Sequence, residues 1–260
     1  MDPICQTALP HLPWMSPATA RLPGVQPLNW DDWLVCDDAF AAQMALRDSL
    51  LAERRADVYA MTPAGEAAAA ALLGLILDHL GPGYARDGGV VTRPDGVRVG
   101  LGDAPPLVTA ARLVQQDLCL MQPLGGEHVL TGAVLCFPAS WTLAEKIGRP
   151  LTGIHAPVDV YDPGLAARVQ RLFDAVHADR PLWRQNALVY ANPALHQPRK
   201  EHDPRREAKA EGRYLRSEKQ CLVRLPSCDA VAFTIHTYVV PLTALPASAL
   251  ARIPQTEAIT

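Results

Sequence analysis

Apolar positions repeat along this chain with two different periods, and the switches between them mark its elements. Over 165–176, Leu165, Val169, Leu172, Phe173 and Val176 fall at i, i+4, i+7, i+8 and i+11. That continuous stripe predicts a packed core helix. Residues 38–56 carry a helical apolar face through Phe40, Met44, Leu50 and Leu51. Residues 63–80 follow Thr62 and Pro63, an N-cap and first-turn pair. Between 81 and 105 the chain turns to Gly, Pro and Asp, and VVTRPDGVRVG reads as a hairpin around Pro-Asp-Gly. A second hairpin joins Leu118–Met121 to Val129–Phe137 across Gly125-Gly126. SWTLAEKIG then predicts a helix capped by Ser140 and stopped by Gly148. Strand-like runs return in PLWRQNALVYAN (181–192), YLRSEKQCLVRLP and AVAFTIHTYVVPL. This order predicts class α+β, an antiparallel sheet with helices on one side.

Residues 1–37 are punctuated by proline and read as an extended arm whose Trp, Leu and Val side chains strap it to the core. Residues 38–245 are expected to form a single domain, and 246–260 a tail. The segment PRKEHDPRREAKAEGR (198–213) holds six Lys/Arg against four Asp/Glu. It reads as a solvated loop, with a lid or docking surface as the functional alternative.

Composition narrows the chemistry mainly by exclusion. A formal net charge of −3 offers no global basic face for nucleic acid. The most apolar run, Ala67 to Leu77, is much shorter than the ~20 residues that span a bilayer. The six cysteines contain no CxxC pair, and several sit in apolar runs as buried thiols would. No basic-then-apolar leader opens the chain. A cytoplasmic, reduced protein is expected, with no membrane or nucleic-acid partner. HExxH, GxSxG, GxGxxG and GxxxxGK[ST] are all missing from the sequence.

Two constellations remain. Of the eight histidines, His155 stands out because it lies in GIHAPV, between apolar neighbours and two residues before Pro157. Held by one ring nitrogen, such an imidazole can offer the other to iron, although a satisfied core histidine explains the pattern as well. His128 and His202 read as exposed. The late strands are unusually polar: alternation puts Tyr214, Arg216, Glu218 and Gln220 on one face, and Trp183 opposite Arg184. Arg216 and Glu218 are expected to form a buried pair or to line a polar pocket.

The stretches LCFPASWTLAEKIGRPLTGIHAPV, LWRQN and LRSEKQCLVRLPSCDAVAFTIHTYVVPL, in this order and spacing, resemble the haem-dependent oxidative N-demethylase family. The block FPxxWxxxxKxGxPxxxIHxPV is the most specific part, and the similarity runs from about Pro23 to Leu242. The resemblance implies a PAS-like antiparallel sheet, elaborated with helices, that binds haem b. It implies O2-dependent removal of a methyl group from a small secondary alkylamine such as dimethylamine, releasing formaldehyde. Electrons would come from a separate flavin and iron–sulfur reductase component, for which this chain carries no motif. By motif, His155 becomes the axial iron ligand, with His236 the rival imidazole. Glu218 becomes the amine anchor or proton donor and acceptor, supported by Arg216. Arg184 and Arg216 become candidates for the haem propionates, and Trp183 for packing on the macrocycle. Three positions depart from the family pattern: Lys219 stands for arginine, Cys221 for threonine, and His236 for the arginine of IRTY. A noncatalytic PAS-type haem sensor or gas-binding protein is the alternative, as is a haem-free relative that binds a small ligand.

Overall fold

The alternating late segments become the centre of a sheet. The computed structural model describes residues 2–20, 24–157, 161–203 and 213–253. Its strands are β1 (Gln26–Pro27), β2 (Tyr59–Met61), β3 (Ala85–Asp87), β4 (Val90–Thr92), β5 (Arg98–Gly100), β6 (Asp117–Leu124), β7 (Glu127–Val134), β8 (Leu182–Tyr190), β9 (Tyr214–Arg224) and β10 (Val231–Pro241). Seven of them form one antiparallel sheet in the order β1-β8-β9-β10-β6-β7-β2, and β3-β4-β5 form a small separate one. The helices are α1 (Phe40–Glu53), α2 (Arg55–Val58), α3 (Glu66–Asp78), α4 (Pro106–Ala111), α5 (Leu151–His155), α6 (Pro163–Ala175) and α7 (Ala247–Leu250). The α+β class and the large antiparallel sheet are as expected.

Directly opposed residues in an antiparallel sheet share a face. Leu182, Leu222, Phe233 and Cys119 stand in one row, and Trp183, Cys221, Thr234 and Leu118 in the next. The first row opens the front face, where Cys119, Met121, Leu222 and Ile235 pack with Leu151 of α5 and Phe173 of α6. The second opens the rear face, where Leu118, Leu120, Cys221 and Val223 pack with α1, α3, α4 and Trp33. Helices therefore cover both faces, not one. Apolar side chains stand on both sides of the late strands, Leu182, Leu222 and Phe233 in front and Cys221, Val223 and Ala232 behind, so each face needs its own cover.

Local expectations fared unevenly. Both hairpins form, and Gly125 and Gly126 take positive φ values of 66° and 90°. Asp162 caps α6 by accepting the Leu165 N–H at 2.6 Å, but only Phe173 of that helix is buried. The helix expected over SWTLAEKIG is a single 3-10 turn at Leu143–Glu145. Ser140 has φ 67° and is no N-cap, whereas Gly148, at φ 74°, does end the turn. Thr62 caps nothing either, because its hydroxyl donates to the Thr131 carbonyl across the sheet.

The N-terminal arm packs on the rear face. Trp33 is fully buried and donates its indole N–H to Thr234. Part of the expected tail is ordered as α7, whose Ala249 is buried and accepts the Trp14 indole N–H at 3.0 Å. The charged segment lies outside the described residues over 204–212, as does the end of the tail over 254–260. Among the described residues, no helix is long and apolar enough to cross a membrane.

Candidate functional site

His155 ends α5, a helix begun at Pro150 and anchored by the buried Leu151. Its Nδ1 lies 2.9 Å from the Leu151 carbonyl. A carbonyl only accepts, so Nδ1 carries the proton and Nε2 keeps its lone pair. Nε2 has no hydrogen-bond partner among the described residues. Tyr161 stacks on the ring, with centroids 4.3 Å apart and planes 15° off parallel. Stacking engages the ring face and not the in-plane direction of Nε2. Burial pushes the His155 pKa down; the Leu151 bond opposes this, and the positive charges of Lys146 and Arg184 add to burial.

The front face beyond α5 carries a chain of polar side chains. Arg184 stands opposite Gln220, Asn186 opposite Glu218, and Leu188 opposite Arg216. Arg184 Nη1 donates to Gln220 Oε1 at 3.2 Å, and Gln220 Nε2 donates to Glu218 Oε2 at 3.3 Å. Asn186 Nδ2 donates to the same oxygen at 3.3 Å, while Arg216 Nε meets Glu218 Oε1 at 3.3 Å. Arg216 and Glu218 are both buried, so the expected buried pair is present.

The two arginines differ in what they have left to give. Arg216 spends Nη1 on the Leu195 carbonyl and Nη2 on the Phe137 carbonyl, tying the sheet to the segment that opens the FPxxW block. Among the described residues, Arg184 has only a neutral amide as partner, and its buried Nε has none. Burial pushes the Arg184 pKa down, against the charge of Glu218. A desolvated guanidinium in this state suits an anion.

His236 and Trp183 do not join this group. They point to the rear face with Lys219, since Trp183 opposes Cys221 and His236 opposes Lys219. His236 Nε2 lies 2.9 Å from Asp37, and its Nδ1 lies 3.4 Å from the Gln116 amide nitrogen. Both nitrogens are used, and the arm lies across them. Lys219 donates to the Asp32 carbonyl and sits over the Trp183 ring. Lys219, Cys221 and His236 thus all fall on the rear face, and Arg216, Glu218 and Gln220 on the front face.

His128 is buried rather than exposed, because the Gln170 side chain folds over it. Gln170 Oε1 accepts the His128 backbone N–H at 3.0 Å, which turns its amide nitrogen toward Nδ1 at 2.9 Å. A cavity of about 440 Å³ lined by His128, His177, Asp174 and Arg224 opens at the hairpin end of the sheet. It is separate from His155. His202 is exposed, as expected.

Three histidines carry a stability prediction. Burial lowers the pKa of His11, His128 and His236, more than the Asp174 and Asp37 charges raise the last two. The unfolded chain therefore binds these protons first. Stability falls as pH drops below the ordinary value of 6.5 through the lower folded values. Burial works against the Asp37 carboxylate too, but the His236, Gln115 and Gln6 hydrogen bonds outweigh it, so its contribution is lost only below 3.8. In thermal melts Tm is expected to decline on acidification from neutral pH, and less steeply in His128→Gln. A flat profile would contradict this assignment.

The donor set suits haem. Among the described residues no three His, Cys, Asp or Glu side chains converge as a metal-ion site, but haem iron needs only one imidazole because the porphyrin supplies the equatorial nitrogens. Among the described residues, His155 Nε2 has no hydrogen-bond partner and the Arg184 guanidinium pairs with no carboxylate. Sequence reasoning passed over Lys146, Tyr161 and the Leu151 carbonyl. Of these only Lys146 had a signal, its place inside the FPxxW block. The sequence model of a family described as haem-dependent oxidative N-demethylase, alpha subunit-like, matches residues 24–258.

Proposed function

We infer, because the chain belongs to the haem-dependent oxidative N-demethylase, alpha subunit-like family, that it binds haem b through His155 and oxidatively demethylates a small secondary alkylamine. The observation that carries this reading is the His155 imidazole inside the matched block, proton on Nδ1 and lone pair on Nε2. Haem supplies the activation of O2 and the oxidising power, with electrons from a separate reductase.

The side chains of the front face then divide the remaining work. Arg184 holds a propionate, which gives its desolvated guanidinium a counter-ion. Glu218 receives the substrate ammonium, since a carboxylate pairs with a secondary ammonium and can take its proton before oxidation. Arg216, Asn186 and Gln220 hold that carboxylate by its two oxygens, so the amine meets a fixed acceptor. Arg216 acts through Glu218 and does not touch substrate. His236 and Trp183 brace the arm on the rear face.

The test is turnover. Haem-loaded protein supplied with dimethylamine, O2 and a surrogate reductant is expected to release formaldehyde. In Glu218→Gln, kcat/KM should fall by about 10²- to 10⁴-fold, the range for removing a positioned acid or base, with the haem spectrum unchanged. Haem-loaded wild type that turns over no small secondary amine would support the sensor reading instead.

A further inference from the structure

We propose that Lys146 and Glu127 are positioning residues that clamp the His155 helix from its two ends and thereby hold the imidazole in its Nδ1–H tautomer. This rests on the reading of His155 as the iron ligand. A helix the length of α5, five residues, does not persist on its own, since nucleation costs more than so few hydrogen bonds return. Its N-cap residue Pro150 offers no side-chain cap, so the first N–H groups need an acceptor from elsewhere. The Glu127 carboxylate supplies it, accepting the Thr152 N–H at 3.3 Å and the Thr152 hydroxyl at 2.8 and 3.1 Å.

At the other end the Ile154 carbonyl needs a donor. Lys146 Nζ reaches it at 2.6 Å. The signs match the helix dipole, a carboxylate at the N-terminus and an ammonium at the C-terminus. Lys146 is itself fixed, because its side chain is 5% exposed and Nζ also pairs with Glu201 Oε1 at 2.6 Å. Arg149 holds the same Glu201 oxygen at 3.0 Å, and the Glu201 N–H donates to the Glu145 carboxylate at 3.2 Å.

Glu127 begins β7, so the clamp refers α5 to the sheet. The consequence for His155 is direct. Its Nδ1–H is held by Leu151, an acceptor inside α5, so the orientation of the ring depends on α5 staying helical. If either end frays, that acceptor moves away and the proton is free to occupy either nitrogen. A proton on Nε2 would block the iron-facing lone pair.

The experiment uses the full chain in two states. In the haem-free protein, long-range 15N–1H NMR at fixed neutral pH reads the His155 tautomer. In the second state, haem b is titrated and followed by its Soret band. Wild type is expected to keep Nε2 unprotonated. Lys146→Met and Glu127→Ala are expected to mix the tautomers and weaken haem binding by about 10- to 100-fold, as losing an outer-sphere partner does. Lys146→Arg should restore both. Wild-type tautomer and haem affinity in Lys146→Met and Glu127→Ala would overturn the proposal. If Lys146→Met does not fold, Glu127→Ala at the half-buried opposite end decides alone. If His155→Ala binds haem like wild type, the ligand reading fails, while the haem-free tautomer measurement still judges the clamp.

Discussion

His155→Ala is expected to lose the wild-type Soret band on titration with haem b, with affinity reduced by about 100-fold or more, beyond what losing outer-sphere partners costs. The fold should survive. His155 is only half-buried, and among the described residues its one hydrogen bond lies within its own helix, so its loss breaks no tie between elements. His236→Ala should do the reverse. That residue is buried on the other face, where it meets Asp37 at 2.9 Å and Gln116 at 3.4 Å. Its removal should lower Tm and loosen the arm while sparing the haem spectrum. An unchanged Soret band in His155→Ala, with loss in His236→Ala, would sink the assignment and move the ligand to the rear face.

Asp117→Ala is expected to destabilise the chain by about 3–5 kcal/mol, the range for breaking one partner out of a buried ion pair. In a protein of this size that lowers Tm by roughly 10 °C. Asp117 and Arg47 pair at 2.9 Å with neither side chain exposed. The same carboxylate accepts the N–H groups of Cys136 and Phe137 at 2.9 and 2.8 Å. Removing it strands the Arg47 charge and leaves two buried backbone donors unpaired, and each loss carries its own desolvation cost. Because Arg216 holds the Phe137 carbonyl from the other side, the defect should reach the FPxxW block and weaken haem binding as well. Chemical denaturation of Asp117→Ala and Asp117→Asn measures it. Stability within about 1 kcal/mol of wild type, the scale of an exposed pair, would mean that the buried pair contributes little.

Much of the site was legible from strand alternation. A period of two puts Arg216, Glu218 and Gln220 on one face and sets Trp183 opposite Arg184. The register bears this out because an eleven-residue strand paired on both sides has no room to slip. What alternation does not reveal is which face the N-terminal arm covers. That Lys219, Cys221 and His236 lie behind the sheet follows only from the arm packing there. The same gap explains His128, which a glycine turn made look exposed and which Gln170, 42 residues away, covers.

Helices were less readable where packing outweighs propensity. SWTLAEKIG contains good helix formers, yet it makes one turn, because Gly148, Arg149 and Pro150 are drawn against β7: Gly148 donates to the Leu130 carbonyl at 2.8 Å and Leu130 to the Arg149 carbonyl at 3.0 Å. Lys146 was visible only as a letter in a motif, since its partners lie 8 and 55 residues away.

By itself the sequence determined the class, the alternation of faces along the late strands and the family, because periodicity and motif spacing are written locally. It also singled out the imidazole, by the block that surrounds it. The tertiary structure alone decided that helices cover both faces and that His155 and His236 part company. Among the described residues it also left Arg184 without a counter-ion, where Arg216 has three partners. Those outcomes depend on carbonyls, carboxylates and apolar surfaces brought together from distant segments, and no local pattern encodes which of them will meet.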